Sequence, residues 1–155
     1  MEISAGIKGR IAELRFIAQL LEAGYDVFGT SSEDCRYDLI FESEGEKDEK
    51  ILHKVQIKKG QYKETPKSGS LTVPLSSHKR CTYEGEIIHE AKSYKGQIDH
   101  LGVYCKERNR FFLISEELIP EYESKKTFKI TKIIGDKKID IDPKVSGIIE
   151  IKELI

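Results

Sequence analysis

Apolar residues recur at spacings of three and four near the start of the chain. Ile7, Ile11, Leu14, Ala18 and Leu21 form one stripe, which predicts a helix over 5–23 with an apolar face for a core. Ser4 stands where an N-cap belongs and Gly24 where such a helix ends. Short strands are then expected at 26–28 and 37–41, around the polar loop 29–34. Residues 42–50 form a charged turn, and 51–58 alternate as a third strand. Ile51, His53, Val55 and Ile57 share one face of it, and Leu52, Lys54, Gln56 and Lys58 the other.

Residues 59–69 read as a polar, basic turn, and 71–75 as a fourth strand whose Pro74 marks an edge or an end. The stretch 76–97 lacks a firm period and reads as loop, with room for a short helix near 84–93. Strands are expected at 100–105 and 111–114, then a short helix capped by Ser115 and ended by Pro120. The tail carries three short runs, 128–134, 139–141 and 148–151, that read as added strands or an arm.

A chain of 155 residues, 38% apolar and 34% charged, is long enough for one domain with a real core. Its apolar runs fall short of a membrane span, and the first ten residues lack the basic start and apolar core of a signal peptide. Cys35, Cys81 and Cys105 are odd in number and lack paired short spacings. They read as reduced thiols of a cytoplasmic protein rather than a disulfide framework or a zinc site. The 26 basic and 27 acidic side chains nearly cancel, so the total alone does not point to a nucleic-acid partner.

Position within the pattern points further. Glu13 falls at the edge of the apolar arc of the first helix, beside Ile17 and Leu20. A carboxylate there needs a metal, a hydrogen bond or an ion pair, and Arg10, three residues back, is one available partner. Asp38 opens an apolar strand, where it either caps a turn or serves chemistry. Gln56 and Lys58 lie side by side on one strand face, solvated or in a site. Phosphodiester hydrolysis needs an oxygen-rich pocket for Mg²⁺ and a cation near the attacking water, and Glu13, Asp38, Gln56 and Lys58 supply that set together.

Lys8-Gly9 with Glu13, Arg36-Tyr37-Asp38-Leu39-Ile40 and Val55-Gln56-Ile57-Lys58-Lys59, in this order, resemble the PD-(D/E)XK nuclease superfamily. Within it the chain looks most like the small endonucleases encoded in group I introns, whose last motif often carries Gln where Gln56 stands. Tyr94-Lys95-Gly96-Gln97-Ile98-Asp99 looks like that group too. Tyr37, not proline, precedes Asp38 here.

The resemblance implies an α/β, restriction endonuclease-like αβββαβ core, a mixed sheet flanked by helices. It would span residues 1–120, with 121–155 a β-rich extension. It also implies a metal-dependent DNA endonuclease of homing or restriction-like type, acting as a homodimer or homotetramer. Asp38 and Glu13 would anchor Mg²⁺, for which Mn²⁺ can substitute. The Ile57 carbonyl and the Gln56 amide oxygen would complete the protein ligands, and Lys58 would orient the water or stabilise charge on the phosphate. Gln56 in place of an acid removes one negative charge from the site. A resolvase of branched DNA and a non-catalytic DNA-binding protein on the same fold remain as alternatives.

Double-stranded DNA would meet the basic residues that follow the active-site strand. Lys54, Lys58, Lys59, Lys63 and Lys67 face only Glu64 in their stretch, and His78, Lys79 and Arg80 form a second knot. Such side chains suit phosphate contacts. The net charge of −1 is then a sum over a basic face and the acidic 42–49 turn.

Overall fold

A computed structural model describes residues 2–30, 35–65, 68–74, 78–91, 94–119, 127–133 and 148–151. Helix α1 (Ala5–Glu22) is followed by strands β1 (Asp26–Gly29), β2 (Leu39–Glu44), β3 (Lys50–Lys59), β4 (Gln61–Thr65) and β5 (Ser68–Pro74). Then come β6 (His78–Tyr83), β7 (Glu86–Ala91), β8 (His100–Cys105), β9 (Arg110–Ser115), β10 (Thr127–Ile133) and β11 (Ile148–Glu150).

The central sheet has six strands in the order β1-β2-β3-β8-β9-β11. Only β3 and β8 run parallel, with Val55 opposite His100 and Lys58 opposite Val103. A parallel pair needs a long crossover, and this one carries β4 to β7. Its β4 and β5 form a second sheet with β10, which comes after β9 in the chain, and its β6 and β7 form a ribbon. The fold is α/β and restriction endonuclease-like.

Alternation along β8 and β9 divides the core in two. Leu101, Val103, Phe112 and Ile114 join Tyr62, Leu71, Val73 and Tyr94 on one face of the sheet. Tyr104, Phe111 and Leu113 join Val55, Ile57 and the helix residues Ala12, Phe16 and Leu20 on the other. Two glycines make these approaches feasible. A Cβ on Gly102 would lie 2.9 Å from the Phe16 ring and 2.7 Å from Ile57, so its absence lets α1 settle on the sheet. A Cβ on Gly60 would lie 2.3 Å from Val103. There the chain leaves β3 for β4, its N–H still bonded to the Tyr104 carbonyl.

Several expectations are corrected. The helix spans the predicted residues, and Ser4 caps it by accepting from the Ile7 N–H. However, Ile7, Ile11, Leu14, Ala18 and Leu21 are exposed, and Ala12, Phe16 and Leu20 are buried instead. The helix has apolar stripes on opposite sides, and periodicity alone does not say which one meets the sheet. Within the stretch 59–69, read as turn, β4 forms and buries Tyr62.

The short helix expected near 84–93 is the β6-β7 hairpin. Glu84 and Gly85, at φ of 49° and 82°, link Tyr83 to its partner Glu86, as the two-residue turns of twisted hairpins require. The helix after Ser115 is a single 3-10 turn, Glu116–Leu118, with no side-chain cap. The run at 139–141 lies outside the described residues.

Candidate active site

The fork between β2 and β3 places the candidate site. The Asp38 N–H donates to the Val55 carbonyl, just before Leu39 pairs with Val55. That contact turns the half-buried Asp38 side chain toward the end of β3. Its Oδ2 accepts two hydrogen bonds of 2.7 Å, from the Ile57 backbone N–H and from Gln56 Nε2. Burial pushes the Asp38 carboxyl up to about 6. The Ile57 N–H holds it back, Glu13 pushes it further, and Lys58 and Arg10 pull it down. Glu13 and Arg10 of α1 and Lys58 of β3 therefore lie within electrostatic reach of Asp38.

Glu13 bonds Arg10 at 2.7 Å across one helical turn, so its simpler expected partner is present alongside its proximity to Asp38. Gln56 directs its NH₂ to Asp38, which leaves the amide oxygen at the other end of the group. Lys58 places its ammonium 5.2 Å from the centre of the Tyr94 ring.

Arg36 is a neighbour to which the sequence reading gave no role. Its guanidinium lies 4.6 Å from the same ring and donates to Gln97 Oε1 at 2.6 Å. A buried aromatic face beside two cations favours both charges. Arg36 stands two residues before Asp38, in the segment that leads into β2.

The donor set is all oxygen. Mg²⁺ needs only one or two carboxylates, because it keeps several waters and takes further oxygens from phosphates. Asp38, raised by burial and by a second carboxylate, is a group that a cation would relieve, so the residues fit such an ion. Among the described residues no cluster of three or more His, Cys, Asp or Glu is gathered, consistent with Gln56 standing where a third acid would be.

Of the proposed DNA-contacting residues, Lys59 at the end of β3 and Lys63 on β4 are exposed. His78, Lys79 and Arg80 fall on β6 with their side chains outside the described part, and Lys67 lies outside it altogether. Cys105 is inert, its thiol pushed up to about 12 by burial.

His53 and His100 form a separate group. His53 Nδ1 lies 3.1 Å from His100 Nε2, and the Ser43 hydroxyl reaches His53 Nε2 at 2.7 Å. The Phe41 ring stacks on His53.

The carboxylate of Asp38 at the strand fork, Lys58 on the next strand and Glu13 on the helix are the groups that the nuclease resemblance named. The chain belongs to the PD-(D/E)XK endonuclease family, whose model matches residues 3–145. Among solved structures it is similar to a bacterial homing endonuclease, I-Ssp6803I. The identity is 25% and the TM-score 0.56, over 88% of this chain and 82% of that one. No curated protein matches the chain. Among the described residues no helix is long and apolar enough to cross a membrane.

Proposed function

We propose that this chain is a divalent-metal-dependent endonuclease that hydrolyses phosphodiester bonds of double-stranded DNA, of homing or restriction-like type. One observation carries the reading. Asp38, Gln56, Ile57 and Lys58 meet at the end of β3, with Glu13 in electrostatic reach. Residues 1–120 are read as the nuclease core and 121–155 as an extension of its sheets, through β10 and β11.

A bound Mg²⁺ or Mn²⁺ supplies Lewis acidity at the phosphate and lowers the pKa of water. Asp38 and Glu13 would hold it, with the Ile57 carbonyl and the Gln56 amide oxygen. The Ile57 N–H and the Gln56 NH₂ fix the rotamer of Asp38. Lys58, steadied over Tyr94, places its charge where the attacking water and the phosphate oxygens meet and stabilises the negative charge that builds there. Lys59 and Lys63 neutralise flanking phosphates. One such site cuts one strand, so a double-strand break calls for at least two copies.

The test is cleavage of plasmid and of a randomised duplex pool, with and without Mg²⁺ or Mn²⁺. Wild type should produce metal-dependent ends, and Lys58→Ala should lose about a hundredfold or more in rate while retaining DNA. Full-rate cleavage by Lys58→Ala would defeat the proposed site. The Arg10–Glu13 pair and the direction of the Gln56 amide favour a second reading, a DNA-binding protein that retains the fold without cutting. Metal-insensitive retention of DNA without new ends would support that one.

A further inference from the structure

The outward side of α1 is apolar without a partner in its own chain. Ile3, Ile7, Ile11, Leu14 and Leu21 are 37–55% exposed. At 100° per residue their stripe is centred about half a turn from the buried Ala12, Phe16 and Leu20. All seven residues from Ala5 to Ile11 are exposed, and Gly6 and Gly9 in that stretch face open space. Each glycine costs a helix about 1 kcal/mol relative to alanine. This helix end thus has little of its own chain to hold it.

The spacing specifies the occupant. Positions 7, 11, 14, 18 and 21 alternate steps of four and three, the seam by which one helix packs along another. Among the described residues α1 is the one α-helix, so a helix of the same kind is available from a second copy. The area suffices as well. The stripe leaves roughly 500 Å² of apolar surface, at the upper end for a monomer. Two copies would bury roughly 1,000 Å² from these side chains alone, close to the lower limit of a specific interface before the flanking residues are added.

Charge sets the direction. Lys8 and Glu22 flank the same edge of the stripe at its two ends and are both exposed. Antiparallel helices bring Lys8 against the partner's Glu22 twice, whereas in a parallel pair this edge of each helix falls on opposite sides of the seam and Lys8 and Glu22 do not meet. Arg15, on that edge between them, is turned toward its own chain by a bond to Tyr104 Oη.

We propose that the outward face of α1 is where two copies of this chain pair, helix against helix and antiparallel. The proposal goes beyond the nuclease reading, and its test uses no DNA, so either can fail without the other. In sedimentation velocity at micromolar concentration the full chain should run as a dimer or larger. Leu14→Glu should reduce its mass by half or more with an unchanged circular dichroism spectrum, because Leu14 lies opposite the core. Lys8→Glu and Glu22→Lys should each weaken pairing severalfold, and the double reversal should restore it. A wild-type monomer overturns the proposal and leaves the face to a helix of another protein. An unchanged mass for Leu14→Glu also overturns it, and a double reversal without rescue overturns the antiparallel pairing.

Discussion

Replacing Asp38 by Asn removes a charge that the fold holds at a cost. The carboxyl stands at 3.8 in the open and at about 6 in the folded chain, with burial the largest cause. The folded state therefore holds a proton that the unfolded state has released between these values. Unfolding free energy falls as pH rises through that window and levels off above pH 7. At 1.36 kcal/mol per tenfold change, the charge costs on the order of 3 kcal/mol.

Asn keeps the shape of the protonated group. Its oxygen, placed where Oδ2 stands, accepts from both the Ile57 N–H and the Gln56 NH₂. In EDTA at pH 8, Asp38→Asn should thus melt higher than wild type, by up to roughly 10 °C for a chain of this size. The gap should close as pH falls from 6 to 4. His53 and His100 bend both curves alike, so they cancel in the difference. Mg²⁺ should raise the melting point of wild type and leave the variant unmoved. Melting curves across pH, followed by circular dichroism, decide the matter. Equal melting at pH 8, or a gap that persists at pH 4, refutes the account of Asp38 as a carboxylate strained by burial.

Three further outcomes follow from the same geometry. Gln56→Glu places two carboxylates within hydrogen-bond distance, where they must share a proton or a cation; calorimetry should show tighter Mn²⁺ binding, and an unchanged Kd counts against Gln56 as a ligand position. Glu150→Ala removes the carboxylate that holds Arg110 through two bonds of 2.8 Å at side-chain exposures of 18% and 12% and leaves the Arg110 charge against the Tyr62 and Phe112 rings. A urea melt should then show a loss of about 3–5 kcal/mol, and a loss below ~1 kcal/mol would mean the pair behaves as a surface one. Burial holds His53 and His100 below their usual range, so they contribute stability above pH 6.5 that is lost as the unfolded chain takes up protons below it. His100→Asn should lose stability less steeply than wild type on acidification from pH 6.5, and equal slopes in pH-dependent urea melts would contradict this.

Much of the layout follows from local rules. The α1 span follows from Ser4, Gly24 and a 3.6 period, β3 follows from alternation, and β8 and β9 follow from short runs on either side of the polar turn 106–110. Local sequence also put Asp38 at the mouth of a strand and Gln56 and Lys58 on one face. Elsewhere local rules gave the wrong element. Residues 84–91 became the turn and second strand of a hairpin because Glu84-Gly85 makes the turn, a signal submerged in a polar stretch without apolar alternation. Strand β4 forms in a basic segment because Tyr62 finds a core and Leu71 and Thr72 of β5 provide its ladder.

What the sequence by itself determined was an ordered set of chemical groups, Glu13, Asp38, Gln56 and Lys58, on elements of known type. Tertiary structure decided which groups meet. It turned Asp38 onto the Ile57 N–H, brought Arg36 and Tyr94 to Lys58, and chose Phe16 over Leu14 for the core. The last choice rests on Gly102, on a strand more than eighty residues away in the chain, whose missing Cβ makes room for the Phe16 ring. Side-chain period is a property of one element, whereas burial is a property of two surfaces that fit.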